Sequence, residues 1–382
     1  MPDLPQPGAD AAPPVDSALP RLRAVHRAAA ELRRGTPVLV QGTSPLAVLA
    51  AETAGAGGLA EFAALAAGGP VLLLGAVRAA ALLRRPIEPG VTIAALRTGA
   101  LFDPGILRGL ADPTAAQLLK DPPEAARPHP GGGAALALAK IARLLPAVLA
   151  APARRDAAQI AASRQLLTVE AADILSHPDR EAARLVRVAE AHVPLEDAPD
   201  ARIVAFRAPD GGIEHLAILI GQPEHAAAKG SAPLVRLHSE CFTGDLLGSL
   251  RCDCGPQLRA AIARMAAEGD GALLYLAQEG RGIGLANKLR AYALQDRGLD
   301  TVDANRALGW QADERNFMVA ATMLQQLGIP RIRLLTNNPD KITALSACGI
   351  EVVAREPLVV APNGVNDHYL ATKAKRFGHL PA

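Results

Sequence analysis

L-V-R-L-H-S-E-C-F-T-G-D-L-L-G-S-L-R-C-D-C-G-P-Q, residues Leu234 to Gln257, holds three of the four cysteines of a 382-residue chain. Cys241, Cys252 and Cys254 stand among His238, Glu240, Asp245, Arg251 and Asp253. Thiolates this close repel one another and oxidise readily unless something holds them. Zinc suits the task, because sulfur ligands match it and coordination removes the thiol protons. Structural zinc takes four protein ligands, whereas catalytic zinc takes three and leaves a place for water. Three cysteines with no evident fourth partner therefore favour one catalytic zinc ion per chain. A free cysteine is often only a small buried hydrophobe, and a lone C-x-C would read that way. The added Cys241 and the polar setting argue for ligands.

Downstream, Ala272 to Leu276 reads as a buried strand, followed by Glu279-Gly280-Arg281-Gly282-Ile283-Gly284 and an amphipathic helix from Leu285 to Gln295. Strand, glycine-rich turn and helix start bind phosphate through backbone N–H groups and the helix dipole. Arg281 and Arg236 are candidate phosphate clamps, since a guanidinium binds phosphate bidentately. Thr336-Asn337-Asn338-Pro339-Asp340-Lys341 follows the expected strand Ile332 to Leu335, at the carboxyl end where α/β sheets take ligands. Asn-Asn-Pro-Asp is also a helix N-cap, and both readings can hold together. Cys348 lies outside every motif and reads as core.

R-L-H-S-E-C-x10-C-D-C-G resembles the signature of GTP cyclohydrolase II, the first committed enzyme of riboflavin synthesis. The similarity continues through Q-E-G-R-G-I-G-L, R-A-Y-A-L-Q-D, T-V-D-A-N, A-D-E-R-N-F and L-L-T-N-N-P-D-K, over about residues 185 to 382. The resemblance implies Cys241, Cys252 and Cys254 as zinc ligands. It implies GTP contacts from Arg236, Leu237, His238, Ser239, Glu240, Gln257, Glu279, Gly280, Arg281, Thr301, Thr336 and Lys341. It further implies Asp313 as proton acceptor and Arg315 as nucleophile towards the α-phosphorus, with Tyr292 near the base. Arginine's high pKa makes a neutral guanidinium scarce, so Arg315 as a phosphate clamp is the competing reading; for Tyr292 it is a core tyrosine. Implied too are magnesium with the triphosphate, a homodimer, and GTP converted to formate, pyrophosphate and 2,5-diamino-6-ribosylamino-4(3H)-pyrimidinone 5′-phosphate. The alternatives are a bifunctional enzyme that also makes 3,4-dihydroxy-2-butanone 4-phosphate, or a non-catalytic GTP-binding regulator.

The first half reads as an α/β domain from its alternating patterns. Arg21 to Arg34 is a helix stopped by Gly35, Pro37 to Gln41 a strand, G-T-S-P a turn, and L-A-V-L-A-A-E a helical run. Pro70 to Leu74 and Leu166 to Val169 are strands, Asp121 to Gly133 is a loop, and Ser176 to Arg184 is a linker. A-A-E-L-R-R-G-T-P-V-L-V and L-A-V-L-A-A-E are similar to the opening of a 3,4-dihydroxy-2-butanone 4-phosphate synthase domain. That family's acidic metal loop is reduced here to G-T-S-P, and its G-H-T-E motif corresponds to Pro130-Gly131-Gly132-Gly133. The expected organisation is thus a tail over 1–20, a degenerate synthase-like domain over 20–178, and a GTP cyclohydrolase II domain over 184–382.

Half the residues are hydrophobic and the net charge is only +2, without basic runs, so no nucleic-acid partner is expected. Residues 1–20 hold six prolines and no positively charged start, unlike a signal peptide. No uncharged run of about twenty apolar residues occurs, so no membrane span is expected. Four cysteines, none before position 241, make no disulfide framework. A cytoplasmic location follows as an expectation.

Overall fold

The computed structural model describes residues 18–360, 364, 365 and 376. Most of the expected tail, residues 1–17, lies outside them. The fold is mixed α/β with two seven-stranded sheets. The first sheet is built from β1 (Val38–Gln41), β2 (Leu46–Ala50), β3 (Val71–Gly75), β4 (Ile93–Arg97), β5 (Glu124–Ala126), β6 (Ala147–Pro152) and β7 (Thr168–Glu170). Their order is β5-β4-β3-β6-β2-β1-β7, antiparallel except where β1 meets β7. The second contains β8 (Val186–His192), β9 (Arg202–Arg207), β10 (His215–Ile220), β11 (Leu234–Ser239), β12 (Gly271–Leu276), β13 (Arg331–Leu335) and β14 (Glu351–Glu356). It runs β14-β13-β11-β12-β10-β9-β8. Within it β14, β13, β11 and β12 are mutually parallel, and the remainder is antiparallel.

Three readings of the first half are corrected. L-A-V-L-A-A-E is not helical: Leu46–Ala50 is β2, every residue buried, paired antiparallel to both β1 and β6. A short continuous apolar run carries no period to separate strand from helix, and its burial between two strands decides. The expected linker 176–184 falls largely within the Ala171–Ala182 helix, which continues through Pro178 and buries Ile174 and His177. The loop Asp121 to Gly133 contains the edge strand β5 and ends in the first turn of the Gly132–Ile141 helix.

Alternation along the strands feeds two cores. Val71 and Leu73 face one, with Val25, Leu32, Leu138 and Ile174 from the Leu19–Arg33, Gly132–Ile141 and Ala171–Ala182 helices. Leu72 and Leu74 face the other, with Leu59, Phe62 and Leu65 of the Ala56–Leu65 helix. That second core also takes in Ile283, Ala291, Leu294, Ala304, Leu308 and Trp310 from the second half. The segment 283–310 of the second half therefore packs into a hydrophobic core of the first sheet. Gly75 lies against this segment: a Cβ there would stand 3.0 Å from Gly309 Cα.

Polar contacts reinforce the seam. On the Leu285–Gln295 helix, Arg290 donates to Glu52 Oε1 at 2.7 Å and to Asp112 Oδ2 at 2.8 Å, and Asn287 donates to the Arg143 carbonyl at 3.1 Å. Removing the cation from a largely buried ion pair leaves uncompensated carboxylates, which costs about 3 kcal/mol. Arg290→Ala is accordingly expected to lower the stability of the full chain by that order, read as a lower urea midpoint at an unchanged slope.

Candidate active site

The three parallel strands β11, β12 and β13 all end at one cleft. Arg236 to Cys241 leave β11, Glu279 to Arg281 follow β12, and Thr336 to Asn338 follow β13. This is where α/β sheets expose the free ends of their strands and the loops that bind ligands.

The thiols converge here, although Cys241 is eleven residues from Cys252. Cys241 and Cys252 are buried and Cys254 is half-buried. Cys241 Sγ lies 3.8 Å from Cys252 Sγ, and the three sulfur atoms fall within 4.8 Å of one another. Cys241 precedes a tight turn, Phe242–Leu246, while Cys254 opens the Cys254–Glu268 helix. The turn passes so close that only glycine fits at 244. A Cβ there would meet Cys252 Sγ at 2.7 Å and Cys241 Sγ at 3.0 Å, and the Gly244 N–H donates to Cys241 Sγ at 3.3 Å.

The electrostatics single out one thiolate. Hydrogen bonds from Cys252 and Cys254 hold Cys241 far below the ordinary thiol range, with Lys288 adding to the effect. Sharing with Cys241 pushes Cys252 and Cys254 up. Lys288 Nζ donates to Cys241 Sγ at 3.0 Å, Thr243 Oγ1 at 2.8 Å and Glu279 Oε1 at 2.9 Å. Burial works most strongly against that ammonium, but Cys241, Tyr292 and Glu279 together outweigh it and its pKa rises. Glu279 Oε2 accepts the Phe242 N–H at 2.6 Å, so this carboxylate anchors the cysteine turn. Asp245 anchors its other side, accepting from the Cys241 N–H at 2.9 Å and the Tyr275 hydroxyl at 3.0 Å, with His238 Nε2 at 3.1 Å. Burial lowers the pKa of His238 despite Asp245.

Around the thiols, the cleft is lined by Arg236, Leu237, His238, Ser239, Glu240, Gln257, Glu279, Gly280, Arg281, Tyr292, Thr301, Arg315, Thr336 and Lys341. Several of its cations are already tethered. Arg236 donates to the Leu335 carbonyl at 3.0 Å and to Gln257 Oε1, and burial pushes its pKa down to about 10. Lys341 Nζ donates to the Leu237 carbonyl at 2.8 Å. Gly280 and Arg281 both adopt positive φ of 63°, a left-handed turn that an arginine seldom takes unless tertiary contacts fix it. Arg315 donates from Nε to Asp313 Oδ1 at 2.9 Å and from NH1 to Ser239 Oγ at 3.3 Å. Burial opposes the Asp313 charge, but Arg315 outweighs it and keeps the carboxyl below its usual range. Asp313 pairs with Arg315 and, unlike it, is not among the residues that line the cleft. Burial raises Tyr292 to about 12, and the Arg251 guanidinium lies 4.5 Å from the centre of its ring.

A family model for GTP cyclohydrolase II matches residues 186–357. The chain is 48% identical over 384 residues to a GTP cyclohydrolase-2 of Azospirillum brasilense, covering 97% of this chain and 98% of that one. The chain belongs to the GTP cyclohydrolase II family. It is an enzyme of that family, and its second half alone is 53% identical over 197 residues to a GTP cyclohydrolase-2 of Actinobacillus succinogenes, 88% of whose length is covered. A two-domain 3,4-dihydroxy-2-butanone 4-phosphate synthase from A. baumannii aligns over 88% of this chain and 99% of its own, at 18% identity and a TM-score of 0.31. A score that low carries no fold assignment.

Sequence reasoning missed Lys288, Asn305 and the anchoring role of Asp245. Lys288 precedes Tyr292 by one helical turn, and Lys288, Ala291, Tyr292 and Gln295 form one stripe on the cleft. Asn305 likewise follows Thr301 by one turn. Helical spacing from Tyr292 and Thr301 points to both.

The donor set and its spacing fit zinc: three thiols within 4.8 Å of one another, a lysine donating to one of them, and a glycine cradle. Gly244→Ala drives a methyl group into two of the sulfurs. It is expected to weaken zinc binding by about 10- to 100-fold, the usual scale for changes beside a ligand set, read by competition against a chromophoric chelator.

Proposed function

We propose that the cleft converts GTP to formate, pyrophosphate and 2,5-diamino-6-ribosylamino-4(3H)-pyrimidinone 5′-phosphate, the first step of riboflavin synthesis. The observation that carries this reading is the meeting of the three thiols with a cation-lined cleft at the ends of β11, β12 and β13. Cys241, Cys252 and Cys254 would hold zinc, which when bound activates water near neutral pH. Opening a purine needs water at C8, an electron-poor carbon between two nitrogens, and repeated attack there releases formate.

The chain's own groups then divide the substrate. Lys288 and Tyr292 stand on the thiol side of the cleft, which assigns them to the base. Arg281 and Arg315 bring positive charge for the triphosphate, with magnesium as the further counter-charge. Arg236 and Lys341, tied to backbone carbonyls, fix the strand ends that carry His238, Ser239 and Thr336. Asp313 holds Arg315 by a paired hydrogen bond, and a guanidinium so paired keeps its proton. We therefore read Arg315 as a clamp on the α-phosphate and Asp313 as its positioning residue. The nucleophile reading is kept as the alternative; there Arg315 attacks the α-phosphorus, pyrophosphate leaves and the arginine becomes guanylylated, so rapid quenching with α-labelled GTP would leave label on the protein. A homodimer belongs to the same proposal.

The first half is proposed to be a synthase-like domain without synthase activity. Gly42 to Pro45 and Pro130 to Gly133 are neighbours: a Cβ on Gly131 would lie 4.0 Å from the Ser44 carbonyl. Yet among the described residues both clusters able to hold a metal lie elsewhere. A ketose rearrangement that needs a divalent cation has none of its carboxylate ligands there. The role supported instead is mechanical, backing the helix that carries Lys288 and Tyr292.

Zinc-replete protein incubated with GTP and magnesium is expected to yield all three products by mass spectrometry, and Cys252→Ser to lose formate. Pyrophosphate without formate from the wild type would contradict ring opening. Ribulose 5-phosphate offered to the same protein is expected to give no butanone phosphate.

A further inference from the structure

Among the described residues, a second set of metal-ligating side chains lies outside the cleft: His26, His177 and Glu181, with ligand atoms within 4.8 Å of one another. His26 comes from the Leu19–Arg33 helix. His177 and Glu181 come from the Ala171–Ala182 helix, four residues apart and hence one turn apart on one face. His26 Nε2 is 3.3 Å from Glu181 Oε1, and its Nδ1 is 3.0 Å from Asp210 Oδ2. The two imidazole rings are 4.7 Å apart, centre to centre. Asp210 has a fully buried side chain and belongs to the turn between β9 and β10, so the cluster spans both halves.

As a hydrogen-bonded cluster this arrangement is poorly satisfied. His177 is 1% exposed, yet its Nδ1 lies 3.8 Å from Glu181 Oε2, beyond hydrogen-bond distance, and its Nε2 has no partner. Buried polar groups normally find partners, and each exception calls for a cause. Space has also been kept open: a Cβ on Gly212 would stand 2.4 Å from Glu181 Oε1 and 3.4 Å from His26 Cε1. Asp210 Oδ2 stands beside the far nitrogen of His26 without a hydrogen bond in this arrangement, in the place where a carboxylate usually fixes the tautomer and ring orientation of a metal-bound histidine.

We propose that His26, His177 and Glu181 hold a second divalent transition-metal ion, with Asp210 orienting His26 from the second half. Two imidazoles and one carboxylate select borderline ions such as zinc, cobalt or iron(II) over magnesium and calcium. His26 and Glu181 are 27% and 29% exposed, so the ion is reached from solvent and keeps a place for water. The ion binds only where the two helices and the β9–β10 turn are assembled, so it ties the halves together by mass action.

The test uses the full chain, stripped by chelator, reloaded with cobalt(II), gel-filtered and analysed for metal. The wild type is expected to retain two equivalents, one with the sulfur-to-cobalt charge-transfer absorption of the cysteine site and one without it. Glu181→Gln, which preserves side-chain shape, is expected to retain only the equivalent that shows the sulfur band. A wild type that holds a single equivalent, or a Glu181→Gln variant that still holds two, overturns the proposal. The wild-type stoichiometry decides the matter even where the variant does not fold.

Discussion

Three sulfur atoms forced within bonding reach of one ion are the constraint on which the second half depends. Mutual hydrogen bonding favours negative charge on Cys241 over its two neighbours, and the surrounding side chains are arranged to hold such a charge. Lys288 neutralises it, Glu279 positions Lys288 and the Phe242 N–H, and Asp245 grips the Cys241 backbone. A metal bound here would remove the remaining thiol protons and so would couple folding, proton release and ligand capture in one event. The narrow turn at Gly244 is the geometric counterpart of this electrostatic frame.

The helix Leu285–Gln295 transmits the constraint to the rest of the molecule. Its cleft stripe carries Lys288 and Tyr292, while Ala291 and Leu294 join the first half's core and Arg290 binds Glu52 and Asp112. One helix therefore has an active-site face and a face packed against the first sheet. On the proposed reading, a first half without synthase activity still serves this arrangement, because removing it would strip the back of that helix.

Legibility in the sequence followed the range of the interactions. The cysteines, the glycine turn after β12 and the Thr336 segment sit in contiguous motifs whose residue types state their chemistry, and all reach the cleft. Local pattern was insufficient where tertiary context decided. Leu46–Ala50 has no periodicity, so its pairing with β1 and β6 was invisible, and Pro178 reads as a breaker although its helix continues through it. The shared core of Ile283 and Trp310 with Leu72 and Leu74 joins residues some two hundred positions apart. No spacing rule announces that contact. Lys288 and Asn305 were legible in principle, through helical spacing from neighbours already chosen.

The most direct measurement is an anomalous difference map, recorded above the zinc edge from crystals of the full chain grown with zinc and a non-hydrolysable GTP analogue. The account predicts density bonded to Cys241, Cys252 and Cys254, with the fourth position open towards the purine and the triphosphate against Arg281 and Arg315. No zinc among the three sulfurs, or a fourth protein ligand that closes the site, would contradict it.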